Sequence, residues 1–107
     1  MKIEGQTQLT RYAQAGEAKR ARALVRAILA KGHAVSVNDG QEETVTRSRS
    51  FAKIEEALCT TGEDVLTVHD DEGARLGFFL LIFGNDPDGS ELIADHTDNA
   101  YCGELAA

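Results

Sequence analysis

No stretch of this 107-residue sequence comes near the 18 or so consecutive apolar residues that a membrane-spanning helix needs, so no membrane partner is expected. Proline occurs once, at Pro87, and tryptophan not at all. There is no low-complexity segment and no linker composition, so residues 1–107 are expected to form one domain. Cysteine occurs only twice, at Cys59 and Cys102. Two isolated cysteines make no zinc pattern, and His33 and His69 have no metal-ligand spacing to anything. No metal site and no cofactor are therefore expected. The opening residues Met1-Lys2-Ile3-Glu4-Gly5-Gln6 have no apolar core and no cleavage site, so no secretion signal is expected. A reducing, cytoplasmic location follows, with both thiols free and partly buried on separate helices rather than joined.

What is present is a hydrophobic fraction of 42%, ordinary for a globular chain. At this length one core is expected to bury roughly 60–65% of the unfolded surface. The net charge is −7. Its distribution is uneven: residues 1–31 hold seven Lys/Arg and two acids, residues 32–107 four Lys/Arg and sixteen acids. A basic first helix thus accompanies an acidic body, either as intramolecular complementarity or as a charged surface for a partner.

The longest unbroken apolar stretch is Gly77-Phe78-Phe79-Leu80-Leu81-Ile82-Phe83-Gly84, followed by a turn at Asn85-Asp86-Pro87-Asp88-Gly89-Ser90. An unbroken apolar run alternates between faces and must be covered on both or nearly both. It reads as the first strand of a hairpin and the middle of the sheet. Upstream, Thr10 suits the N-cap of a helix from about Arg11 to Lys31, with Gly32 at its C′ position. His33–Val37 alternates as a strand, Asn38-Asp39-Gly40 turns, and Thr44–Thr46 returns. Ser48 or Ser50 caps a helix from about Phe51 to Thr60. Asp64–His69 alternates again, and Asp70-Asp71-Glu72-Gly73 makes an acidic hairpin tip. Asp98 or Asn99 caps a short last helix with Tyr101, Cys102 and Leu105. The resulting order, α-β-β-α-β-β-β-α, predicts an α+β two-layer sandwich: an antiparallel sheet of about five strands with helices on one face.

Four constellations bear on chemistry. Asp86, Asp88, Gly89 and Asp95 approach a calcium-loop pattern, but Gly84 stands where the first acid belongs and Pro87 interrupts the loop. A plain hairpin turn accounts for them better. His96 lies near Asp98 and Cys102, the residue types of a general base and a nucleophile. No triad or oxyanion hole completes the set, so no catalytic residues are assigned and a small enzyme remains one alternative. Lys19, Arg22 and Arg26 share a helix face, with Arg47 and Arg49 as further candidates, and could meet phosphates. The acidic remainder opposes nucleic acid, and no aromatic stacking platform accompanies the stripe. Finally, Asp70, Asp71, Glu72, Asp86 and Asp88 crowd the hairpin tips, where a shared negative rim would steer basic partners.

The segment Gly77–Pro87 through Glu91-Leu92-Ile93-Ala94-Asp95-His96-Thr97-Asp98-Asn99 resembles part of uncharacterised small acidic proteins of phages, prophages and plasmids. The likeness spans about a third of the chain, and Ala94–Asn99 is its most recognisable piece. It implies a genomic context, in which small acidic proteins often bind a host protein, defence machinery included. The expected function is therefore a non-enzymatic protein-binding module that uses the acidic tips to bind or inhibit a basic surface of a host or partner protein, such as a defence or nucleic-acid-binding machine. The alternatives are a nucleic-acid-binding accessory protein using Lys19, Arg22 and Arg26, and an enzyme using His96. Homodimerisation through the sheet edge or first helix is compatible with each.

Overall fold

The chain is described here as a computed structural model, over residues 7–84 and 86–107. The N-terminal segment with Ile3, and the turn residue Asn85, lie outside the described residues. Among the described residues nine elements follow one another: α1 (Gln8–Tyr12), α2 (Ala15–Ala30), β1 (Ala34–Asn38), β2 (Glu43–Ser48), α3 (Phe51–Ala57), β3 (Glu63–His69), β4 (Arg75–Ile82), β5 (Ile93–His96) and α4 (Ala100–Ala106). The expected α+β class, antiparallel sheet and helix layer are all present.

The first helix is broken, which corrects the continuous helix expected over Arg11–Lys31. Ala13 and Gln14 are extended, Thr7 rather than Thr10 caps α1 by accepting from the Thr10 N–H, and α2 begins at Ala15. Alanine-rich propensity runs straight through this point, but Glu17 overrides it. Its carboxylate accepts the Gln14 N–H at 3.0 Å, the reciprocal half of a capping box. Leu9 on α1 then turns inward and is fully buried. At the far end Gly32, at φ +80°, supplies the left-handed residue just past the helix.

The sheet order is β2-β1-β3-β4-β5, with every neighbouring pair antiparallel. The central strand is therefore β3, not β4 as expected. β4 is interior, gripped by β3 and β5, because the long β4 can pair along most of its length on one side while β5 is only four residues. The pairing of β1 with β3 joins the two halves of the chain, a link no local signal specified.

Val35, Val37, Leu66, Val68, Phe79 and Leu81 point from the sheet into the helix layer, where they meet Leu9, Leu24, Val25, Ile28, Ile54 and Cys102. The apolar run of β4 is sealed on that face only. Phe78, Leu80 and Ile82 stand on the other face with Val65 and Thr67, half-buried by their strand neighbours. Gly77 faces α4, and a Cβ there would collide with the Cys102 sulfur and Thr97. Ser50 caps α3 and Asn99 caps α4, one choice from each expected pair. Cys59 lies beyond the end of α3 rather than on it, in the left-handed region at φ +62°. Both thiols are free and buried.

Candidate functional site

Antiparallel pairing gathers the connections at two ends of the sheet. The β1–β2 turn, the α3–β3 loop, the β4–β5 loop and the start of α2 meet at one end. The β3–β4 tip, the end of β2 and the start of α4 lie at the other. Asp70, Asp71 and Glu72 therefore stand at one end and Asp86 and Asp88 at the other, separated by the eight residues of β4, or ~26 Å of strand. The tips share no rim.

At the Asp86 end the loops are hydrogen-bonded into one body. Thr61 Oγ1 donates to the Asp39 carbonyl at 2.5 Å, and the Phe83 N–H donates to the Gly62 carbonyl at 2.9 Å. The Gly16 N–H donates to the Pro87 carbonyl at 2.9 Å. Gly16 and Gly89 touch backbone to backbone, so that a Cβ on either would overlap the other loop. The fully buried Glu17 closes the assembly, accepting from the Gly84 N–H at 2.8 Å and the Asp86 N–H at 3.2 Å as well as from Gln14. A carboxylate at the first turn of α2 also suits the helix dipole.

The acids of these loops divide into builders and presented charges. Asp86 is a builder: its side chain accepts from the Glu91 N–H at 2.6 Å and from Ser90 Oγ at 3.0 Å. Those donors hold its carboxyl below the usual range, led by the Glu91 backbone bond. Asp39 is likewise lowered by the backbone N–H groups of Glu42 and Gln41. Glu42, Glu63, Asp88 and Glu91 are exposed. Together with Glu43, the three loops carry seven acids on their surface and no Lys or Arg.

Behind them stands Asp64, fully buried on the core face of β3. One oxygen accepts from the Cys59 N–H at 2.8 Å, and the other has no hydrogen-bond partner among the described residues. Burial above all, with the neighbouring Asp39 and Glu63 charges and against the Cys59 N–H bond, pushes this carboxyl up to about 6. The adjacent Cys59 thiol is pushed up to about 11 by burial and by the Asp64 and Glu17 carboxylates, which suppresses its thiolate.

The opposite end is electrically mixed. The Asp70 side chain is spent on the tip itself, accepting from the Glu72 and Ala74 N–H groups at 2.9 and 2.8 Å. Arg47 and Arg49 line the same hollow as Asp70, Asp71 and Glu72, and Arg75 begins the next strand. Three acids thus share this end with three arginines, two of them in the same hollow.

The basic stripe on α2 is largely engaged within the chain. Arg22 Nε pairs with Glu55 at 2.6 Å and its Nη2 donates to Thr10 at 2.8 Å. The Arg26 guanidinium lies 4.6 Å from the centre of the Phe51 ring, while Lys19 is exposed. Near β5, His96 Nδ1 lies 2.9 Å from the Thr97 carbonyl and its ring packs near Phe79. Cys102 is buried against Gly77 and Thr97, its thiol raised chiefly by burial, and Asp98 is exposed. Among the described residues no group of three or more metal-binding side chains converges, and no helix is long and apolar enough to cross a membrane.

Glu17, Gly16 and Asp64 organise this end; from sequence Glu17 counts only as charge, Asp64 only as one more acid at a strand end, and Gly16 is given no role. Gln14 and Glu17 do have capping-box spacing, and Asp64 occupies the apolar phase of the Asp64-Leu66-Val68 alternation. No family model, curated protein or solved structure matches the chain.

Proposed function

We propose that the protein is a non-enzymatic protein-binding module whose acidic sheet end docks on a basic surface of a host or partner protein. The observation that carries this reading is the set of seven acids on three loops that themselves carry no Lys or Arg, loops already fixed by Glu17, Gly16 and Thr61. Fixed charges steer an incoming basic surface without an ordering cost at contact. Asp88 keeps the role expected from sequence and is joined by Glu42, Glu63 and Glu91. Asp86 acts by holding the loop, and Asp70, Asp71 and Glu72, opposed by arginines, contribute less. The non-enzymatic part rests on the raised thiols of Cys59 and Cys102 and on a His96 turned to a backbone carbonyl. The resemblance to small phage and plasmid proteins adds a setting, the bacterial cytoplasm, and a target class, a nucleic-acid-binding or defence machine that the module inhibits.

The test is affinity capture from a nuclease-treated bacterial lysate at low and high salt, with mass spectrometry of the eluate. A protein complex retained at low salt and released at high salt supports the module and names its target. Retention that disappears with nuclease moves the function to nucleic acid, and an empty eluate overturns the reading.

A further inference from the structure

Between α1 and the fused loops of the acidic end lies a cleft of about 460 Å³, lined by Gln8, Tyr12, Cys59, Thr60–Gly62, Phe83 and Gly84. A volume of that size falls within the range of ligand pockets. Three features set it apart from an accidental gap. Tyr12, at 60% exposure, is the one large hydrophobic side chain left open to solvent among the described residues, and it stands at the lip. Two fully buried carboxylates back the walls: Asp64 accepts the N–H of the lining residue Cys59, and Glu17 that of the lining residue Gly84. One oxygen of Asp64 has no hydrogen-bond partner among the described residues. Cys59, which forms part of the floor, is also held in a left-handed conformation that a non-glycine residue adopts only when its surroundings enforce it.

We propose that this cleft receives a lysine or arginine side chain of the partner, its alkyl stem against Tyr12 and Phe83 and its cationic head toward the negative field of Asp64 and Glu17. The inference rests on the proposed function and names the subsite through which a basic surface is engaged. Aromatic faces attract organic cations, and buried carboxylates act on them through a low dielectric. The Tyr12 ring already carries one guanidinium, that of the exposed Arg11 at 5.2 Å, a contact an incoming cation can replace. Cys59, Asp39 and Glu63 are the other titratable groups felt at Asp64 and Cys59, and the two acids deepen the same field. Because Asp64 carries its proton below about pH 6, capture of the cation weakens in acid and releases a proton from Asp64.

The experiment is an amide-resolved NMR titration of the full chain at pH 7 with n-butylammonium, with N-acetyl-lysine methylamide, and with the uncharged norleucine analogue. Expected are saturable shifts at Cys59, Thr60, Gly62 and Gly84 with both cations and none with norleucine. Asp64→Asn retains an acceptor for the Cys59 N–H and removes the charge, with an amide NH2 in place of the unpartnered oxygen. It should weaken binding about tenfold and abolish the loss of affinity between pH 7 and pH 4.5. Tyr12→Ala, at an exposed position, should weaken it about two- to fivefold. Silent amides, equal shifts with norleucine, or unchanged binding by Asp64→Asn overturn the cleft. Binding of butylammonium without the lysine derivative assigns it to free amines and overturns the side-chain reading. A basic partner captured equally by wild type and both variants, with silent probes, discards the cleft and leaves the proposed function standing.

Discussion

The two ends of the sheet use the same residue type in opposite ways. At the β3–β4 tip, Asp70 folds its own turn, and Asp71 and Glu72 share a hollow with Arg47 and Arg49. At the other end, Asp86 folds its own loop, but its acidic neighbours have no cation on the loops beside them. Instead the positive partners of that end are backbone N–H groups, held by carboxylates from beneath: Glu17 under Gly84 and Asp86, and Asp64 under Cys59. Charge that is opposed in place costs little and steers little. Charge presented on a fixed, unopposed rim has a long reach, and its repulsion must be offset by the bonds that hold the rim together.

Variants that separate these roles break the comparison in graded steps. The largest effect is expected from Gly16→Ala, whose new Cβ would overlap the Pro87–Asp88 backbone. A loss of about 3 kcal/mol or more in urea unfolding is expected, because backbone cannot yield as a flexible side chain does. Gly103→Ala in α4 meets open space and should instead gain about 0.5–1 kcal/mol. Glu17→Ala comes next, since three backbone N–H groups lose their acceptor together, and about 3 kcal/mol is expected. Hydrogen exchange should accelerate at Gly84 and Asp86 while Glu72 and Ala74, at the mixed end, stay unchanged.

Asp64 gives the pH dependence. Its folded carboxyl binds a proton more tightly than the unfolded one, so it costs nothing below about pH 4. As pH rises from there to about 6 the unfolded state ionises first, and stability falls, by up to about 3 kcal/mol above pH 6. Asp64→Asn should therefore melt higher than wild type at pH 7.5, with the difference shrinking toward pH 4. Asp39 and Asp86 work with the opposite sign, lowered in the fold and stabilising at neutral pH, so the comparison must be between the two proteins at each pH. The smallest effect belongs to Arg26→Ala, which removes an exposed guanidinium from the face of the half-buried Phe51. About 0.5–1 kcal/mol is expected by thermal melting.

Local signals carried most of the architecture. Alternation in Asp64–His69, turn chemistry at Asn38-Asp39-Gly40 and the caps Ser50 and Asn99 placed the later strands and helices. What escaped was decided by contacts distant in sequence. The break at Ala13–Gln14 follows from Glu17, whose other ligands lie sixty-seven and sixty-nine residues away. The pairing of β1 with β3 is an equally non-local choice, and it decides which acidic turns become neighbours. The acidic tips were visible as charge, but whether arginines oppose them depends on Arg47 and Arg49 arriving from β2 and the loop after it.

The most direct test compares the two ends in one capture experiment, using full-length protein as bait in nuclease-treated lysate. One bait carries Glu42→Lys, Glu63→Lys and Glu91→Lys, all exposed on the acidic end, and the other carries Asp70→Lys, Asp71→Lys and Glu72→Lys. The account predicts that the first bait loses the salt-sensitive protein retained by wild type and that the second keeps it. Loss of that protein by the second bait alone, or its undiminished retention by the first, would contradict the assignment of the acidic end as the working surface.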